Sequence, residues 1–204
     1  NELQSPMAAL ARVQRADLVL IGTSTGGPQA LTRLLAELPG DLASPVAMVL
    51  HIPIGYTEAL AKRLDGVSKL EVVEAHHGVE LVPGRAVLAR AGQHLKIRRL
   101  GSGFVGHLDP LPISPHVPAV DQLFTSGAEA AGSGALGVVL TGMGDDGLIG
   151  SRAIAQAGGS LITEAPASCV VYGMPRVVFE AGIGARAAAL DYIPREIIRH
   201  VTAD

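Results

Sequence analysis

Asp17-Leu18-Val19-Leu20-Ile21-Gly22-Thr23-Ser24-Thr25-Gly26-Gly27-Pro28 is an apolar run that passes through a glycine-flanked serine and ends on a proline. The order reads as a buried strand, a cramped turn and a helix start. Pro28 suits the first helical position, and Leu31, Leu34, Leu35 and Leu38 follow at helical spacing. Gly22-Thr23-Ser24-Thr25-Gly26 fits G-x-S-x-G, the pattern of a nucleophile elbow. Small flanking residues allow the tight turn, which lifts the hydroxyl to the carboxyl end of the strand beside backbone N–H groups. A glycine-rich loop at a helix start can equally cradle phosphate. Gly22, Gly26 and Gly27 miss the G-x-G-x-x-G spacing, and no Gly-Lys-Ser/Thr follows. On this segment alone both readings stay open.

Outward from it, short apolar runs at 17–21, 46–50, 136–140 and 160–163 alternate with helical patterns at 28–38, 57–65, 119–131 and 147–157. That alternation predicts an α/β fold: a doubly wound, mostly parallel sheet between two helix layers, Rossmann-like. Val46-Ala47-Met48-Val49-Leu50 is apolar throughout, as a strand covered on both faces must be. Residues 79–108 differ. Arg85–Ala89, Leu95–Leu100 and Gly103–His107 are β-prone and separated by Gly-containing turns, which predicts antiparallel hairpins added at one sheet edge. A last helix is expected from about Pro194, burying Ile197, Ile198 and Val201. No repeat or internal boundary divides residues 17–204, read as one domain; residues 1–16 read as a linker.

A net charge of −3 carries no nucleic-acid footprint, and three Tyr, three Phe and no Trp make poor base-stacking platforms. No apolar run reaches the roughly 18 residues of a membrane span. The single cysteine, Cys169, excludes an internal disulfide framework and fits a reducing compartment. Its apolar surroundings suggest a small buried thiol rather than a nucleophile. Without the build of a signal peptide at the N-terminus, a cytoplasmic location is expected.

Ligands of open α/β sheets sit beyond the carboxyl ends of the strands. Three apolar runs deliver polar groups there: Ser24 after 17–21, His51 after 46–50, and Asp145-Asp146 in the loop Thr141-Gly142-Met143-Gly144-Asp145-Asp146-Gly147 after 136–140. A serine needs a base, histidine titrates near neutrality, and a carboxylate fixes the useful imidazole tautomer. The other six histidines (His76, His77, His94, His107, His116 and His200) read as surface or core residues. Adjacent His76 and His77 diverge in an extended chain and lack a third ligand, so no metal and no cofactor is expected. A metal-bridged phosphate on the Asp145-Asp146 loop is the lesser alternative. The order Ser…His…Asp excludes the α/β-hydrolases, where the acid precedes the histidine.

The segments Ile21–Pro28, His51-Ile52-Pro53, Leu140–Gly147 and Val171-Tyr172-Gly173-Met174-Pro175, with a weaker echo in Val120–Ser126, resemble the catalytic domain of the chemotaxis protein-glutamate methylesterases. The resemblance implies hydrolysis of γ-glutamyl methyl esters on the cytoplasmic helices of methyl-accepting chemoreceptors, with glutamine deamidation as a second activity. It implies Ser24 as nucleophile, His51 as base and Asp146, rather than Asp145, as the acid. Thr25 and Met143 are implied at the site as oxyanion support.

Three departures stand against the family pattern. Leu50 replaces a usual glutamine, and Val117 and Ala119 replace an arginine and a serine, which bears on substrate preference. Family members commonly carry a phosphorylatable receiver domain; residues 1–16 cannot be one, so the chain reads as a fragment or a stand-alone form. The functions that compete are the same chemistry on another protein substrate, a nucleotide-binding domain and a silent receptor-binding adaptor.

Overall fold

The computed structural model describes residues 13–204. The expected linker at 1–16 therefore lies outside the described residues up to position 12. Ala16 already belongs to the fold: it is buried, and its N–H donates to His200 O.

The central strand β1 (Leu18–Thr23) is buried at every residue, which explains why its sequence shows no alternation. It pairs in parallel with β2 (Val46–Leu50) on one side and β8 (Ala135–Val139) on the other. With β3 (Glu71–Glu74), β5 (Arg85–Leu88), β9 (Ser160–Glu164) and β10 (Arg186–Ala188), they form a seven-stranded sheet of order β10-β9-β8-β1-β2-β5-β3. Every pairing in it is parallel. The chain builds outward from β1 to one edge, then crosses back to β8. The strand order therefore reverses between β1 and β8, the switch point where such sheets bind ligands.

Two cores result. One face packs α1 (Gly27–Glu37), α2 (Thr57–Val67) and α6 (Ile193–Val201) through Leu31, Leu34, Leu64 and Ile197. The other packs α3 (Val120–Ala131), α4 (Leu148–Gln156) and α5 (Met174–Glu180) through Leu123, Phe124, Ile154 and Val178. The fold class is the expected doubly wound one.

The antiparallel addition is a sheet of its own, β4 (Val79–Leu81), β7 (Gly103–Asp109) and β6 (His94–Leu100). It shares the second core through Leu95, Ile97 and Phe104, and Ile97 N–H donates to Ser126 Oγ of α3 at 2.9 Å. Arg85–Leu88, expected in a hairpin, instead joins the main sheet between β2 and β3. Its Ala86-Val87-Leu88 run is fully buried, as a strand covered on both faces requires. The short elements β3, β10 and α5 carry no strong periodicity and were not anticipated.

Phe124 is the largest fully buried side chain and links α3 to the sheet. Phe124→Ala is expected to lower the unfolding free energy by about 3–5 kcal/mol, read by urea denaturation.

Candidate active site

Ser24 leaves β1 at its carboxyl end. Its N–H donates to Thr141 O at 3.1 Å, and Gly27 N–H closes the turn onto Ser24 O at 2.8 Å. Gly26, at φ 84°, carries the left-handed step that an ordinary side chain would resist, and α1 begins immediately afterwards. The half-buried Ser24 hydroxyl accepts Met143 N–H at 3.0 Å and donates to the thioether of Met174 at 3.3 Å. Gly142 lets the next loop come this close: a Cβ there would stand 2.5 Å from Ser24 Oγ. Thr25 is exposed; its carbonyl accepts the Thr141 hydroxyl at 3.0 Å, and its N–H takes no acceptor among the described residues.

His51 follows β2, with its N–H on Thr23 O at 3.3 Å. Its Nε2 lies 2.6 Å from Asp146 Oδ2, and the two side chains are only 12% and 7% exposed. Asp146 is gripped from a second direction. Val120 N–H donates to Oδ2 at 2.8 Å and Asp121 N–H to Oδ1 at 2.9 Å, so the carboxylate caps the N-terminus of α3. Ala119 is the N-cap residue there and has no side chain able to do so. Burial pushes the Asp146 carboxyl up. The His51 hydrogen bond, the Asp121 and Val120 N–H groups and the His51 charge outweigh it and hold the group below the usual carboxylate range. Asp121 goes the other way: burial raises it, the nearby Asp146 charge adds to that, and N–H donation from Gly150 and Gly147 opposes it only in part.

Beneath Ser24 lies a buried polar node. Thr141 O accepts Thr23 Oγ1 at 2.6 Å as well as Ser24 N–H, and Thr141 Oγ1 accepts the N–H groups of Val170 and Val171, each at 3.0 Å. Thr141 N–H in turn donates to Glu164 Oε2 at 2.7 Å, and Ser168 donates to Glu164 Oε1 at 3.0 Å. Glu164 is wholly buried at the end of β9. Cys169 is held beside it: burial, with the Glu164 carboxylate adding to it, pushes the thiol up to about 12, which leaves it un-ionised and inert.

The three strand ends thus meet at one rim, but not in a continuous hydrogen-bonded chain. His51 and Asp146 are bonded, whereas Ser24 and His51 share no hydrogen bond among the described residues. Asp145 is exposed. Of the departures, Leu50 is buried in the core against α1, Val117 binds Gly92 N–H through its carbonyl, and Ala119 N–H donates to His94 Nδ1. Sequence reasoning missed Thr141, Glu164 and the contact of Met174 with Ser24. It also gives His116 no role beyond that of a surface or core residue, yet that ring stacks on His51 with centroids 3.8 Å apart and planes 4° from parallel. Among the described residues no cluster of three or more His, Cys, Asp or Glu could hold a metal ion, and no helix is long and apolar enough to cross a membrane. A concavity of about 830 Å³ between α1 and α6 shares no residue with this rim.

A family model described as "CheB methylesterase" matches residues 19–197. A protein-glutamate methylesterase/protein-glutamine glutaminase 5 of Myxococcus xanthus is 56% identical over 97% of this chain and 58% of its own length. A protein-glutamate methylesterase/protein-glutamine glutaminase of Desulfitobacterium hafniense is 46% identical over 91% of this chain and 48% of its own length. The chain thus spans about half the length of these curated relatives. The crystal structure of the Thermotoga maritima CheB methylesterase catalytic domain superposes with a TM-score of 0.87 at 38% identity, covering 90% of this chain and 97% of that one. By sequence and by fold, this chain belongs to the CheB methylesterase family.

Proposed function

We propose that the domain is a serine hydrolase that removes methyl groups from glutamate γ-methyl esters on the cytoplasmic helices of chemoreceptors, releasing methanol. Deamidation of receptor glutamine runs through the same acyl-enzyme. The observation that carries this reading is the His51–Asp146 bond set beside a serine whose oxygen already receives the Met143 N–H. The names of the relatives support the substrate class.

Because Asp146 engages Nε2, the proton of a neutral His51 sits there and Nδ1 keeps its lone pair as the base. Ser24 turns from the Met174 thioether towards Nδ1, gives up its proton and attacks the ester carbonyl. The N–H groups of Met143 and Thr25 receive the oxyanion. The tetrahedral intermediate collapses, His51 returns the proton to the departing methoxide, and methanol leaves. Water then attacks the glutamyl-enzyme with His51 again as base, freeing glutamate and restoring the Ser24 hydroxyl. Asp146 stays ionised throughout and steadies the imidazolium. No step calls for a cofactor. In the cell the domain would act in the cytoplasm, with a phosphorylatable receiver domain, in the same chain or another, as its regulatory partner.

Ser24→Ala is expected to abolish methanol release from methylated receptor, ammonia release from receptor glutamine and labelling by a fluorophosphonate, with unchanged circular dichroism. Turnover by that variant would refute the assignment. Asp146→Asn should lower kcat on the order of 10³- to 10⁴-fold. Asp145→Asn should stay within about twofold, since that side chain is exposed.

The pH dependence of stability follows from the same carboxylate. Its folded pKa is depressed below the unfolded value of about 3.9, so its stabilisation is present above that pH and fades as pH falls through the folded value. The stability gap between the wild type and Asp146→Asn, measured by urea unfolding, should persist down to about pH 4–5 and shrink below it.

A further inference from the structure

We propose that His116 is a positioning residue for His51: its ring, stacked flat on the catalytic imidazole, holds the plane of that ring and covers one face of the group that acquires the charge. The proposal rests on the reading of His51 as base.

A single hydrogen bond to Asp146 fixes one edge of His51 but does not by itself set the tilt of the ring about that contact. A flat ring parallel to it at 3.8 Å removes that freedom and keeps Nδ1 aimed. It also keeps water off one face of a group that must become cationic, and a neutral π-face attracts that cation.

The segment carrying His116 is built to hold it there. His94, fully buried, donates from Nε2 to Pro112 O at 2.8 Å and accepts Ala119 N–H on Nδ1 at 3.0 Å, tying both ends of the loop to β6. Gly92 N–H donates to Val117 O at 3.0 Å. Ser114 Oγ donates to His116 O at 2.5 Å and accepts His116 N–H at 3.3 Å. The charged groups facing His116 are His51, Asp146 and Asp145. Burial lowers the pKa of His116, the His51 charge lowers it further, and the two aspartates oppose them without reversing the direction. Protonation of His116 is thus disfavoured relative to a free imidazole. A charge on it would repel the imidazolium instead.

The test compares His116→Phe, His116→Ala and His116→Arg, all at an exposed position outside the core. The readouts are kcat and KM for methanol release across pH, and titration of the His51 ring protons by NMR. His116→Ala should lose about tenfold in kcat with little change in KM, and His116→Phe should recover most of that loss, because a flat neutral ring is restored. His116→Arg should move the acid limb of the profile and the His51 titration together to lower pH by about one unit, since a like charge disfavours the imidazolium. Equal losses in the Phe and Ala variants, or an Arg variant whose profile and titration overlay the wild type, would overturn the proposal. Should the wild type release no methanol, the functional reading fails. The NMR titration then decides alone: a downward shift in the Arg variant upholds the stack, and no shift refutes it.

Discussion

Two carboxylates exchange helices in this domain, and the rim around Ser24 hangs on that exchange. Asp146, from the loop after β8, takes the first amides of α3; Asp121, in the first turn of α3, takes the Gly147 and Gly150 amides that open α4. Each helix start is thus capped by an acid belonging to the other's segment. Neither helix can shift along its axis without breaking charge-assisted bonds, worth roughly 1.5–3 kcal/mol each. The arrangement also drives the two carboxyls in opposite directions. Asp146 gains the His51 contact and is held below the usual carboxylate range, while half-buried Asp121 beside it is pushed up. A lone carboxylate at Asp146 could have bonded His51, but nothing would have fixed which oxygen does so. The helix amides leave Oδ2 facing the imidazole and tie Oδ1 to Asp121 N–H.

Below the serine, Thr141 performs the corresponding task for the backbone. Its carbonyl meets the Ser24 amide, its hydroxyl gathers Thr25, Val170 and Val171, and its own amide rests on Glu164. Three loops that follow β1, β8 and β9 are thereby bonded through one small side chain. A buried carboxylate is costly unless its oxygens are satisfied, and both oxygens of Glu164 receive donors. The turn around Ser24 is therefore set by its neighbours and not by the G-x-S-x-G residues alone.

The long parallel strands and the helices between them were legible because burial on both faces leaves a continuous apolar run that few other elements tolerate. Leu18–Ile21 and Val46–Leu50 announce themselves in this way. Arg85–Leu88 was misassigned because its neighbours in sequence are turns and hairpin strands, while its partners, β2 and β3, lie elsewhere in the chain. Among candidate site residues, the strand-end rule picks out Ser24, His51 and Asp146. Applied to the run at 160–163, the same rule would have reached Glu164. His116 offered no such signal. It lies in an exposed proline-containing loop, and its proximity to His51 depends on the bonds His94 makes to both ends of that loop. Thr141 was visible in the motif, but its several partners come from loops brought together only by the fold.

Under the proposed mechanism, the anchoring of the two side chains decides which of them moves when substrate arrives. His51 is held at its edge by a bond to a carboxylate and on its face by a parallel ring. Ser24 Oγ is held by one amide and a thioether, a weak acceptor. Releasing the imidazole would forfeit a charge-assisted bond of roughly 1.5–3 kcal/mol, whereas a neutral hydrogen bond contributes about 0.5–1.5 kcal/mol and a bond to sulfur belongs at the weak end. Turning the hydroxyl requires rotation about one side-chain torsion and disturbs only a neutral amide bond and the Met174 contact. The ring is the fixed member and the hydroxyl the mobile one. Bringing the Ser24 hydroxyl to His51, as the proposed mechanism requires, asks nothing of the better-anchored partner.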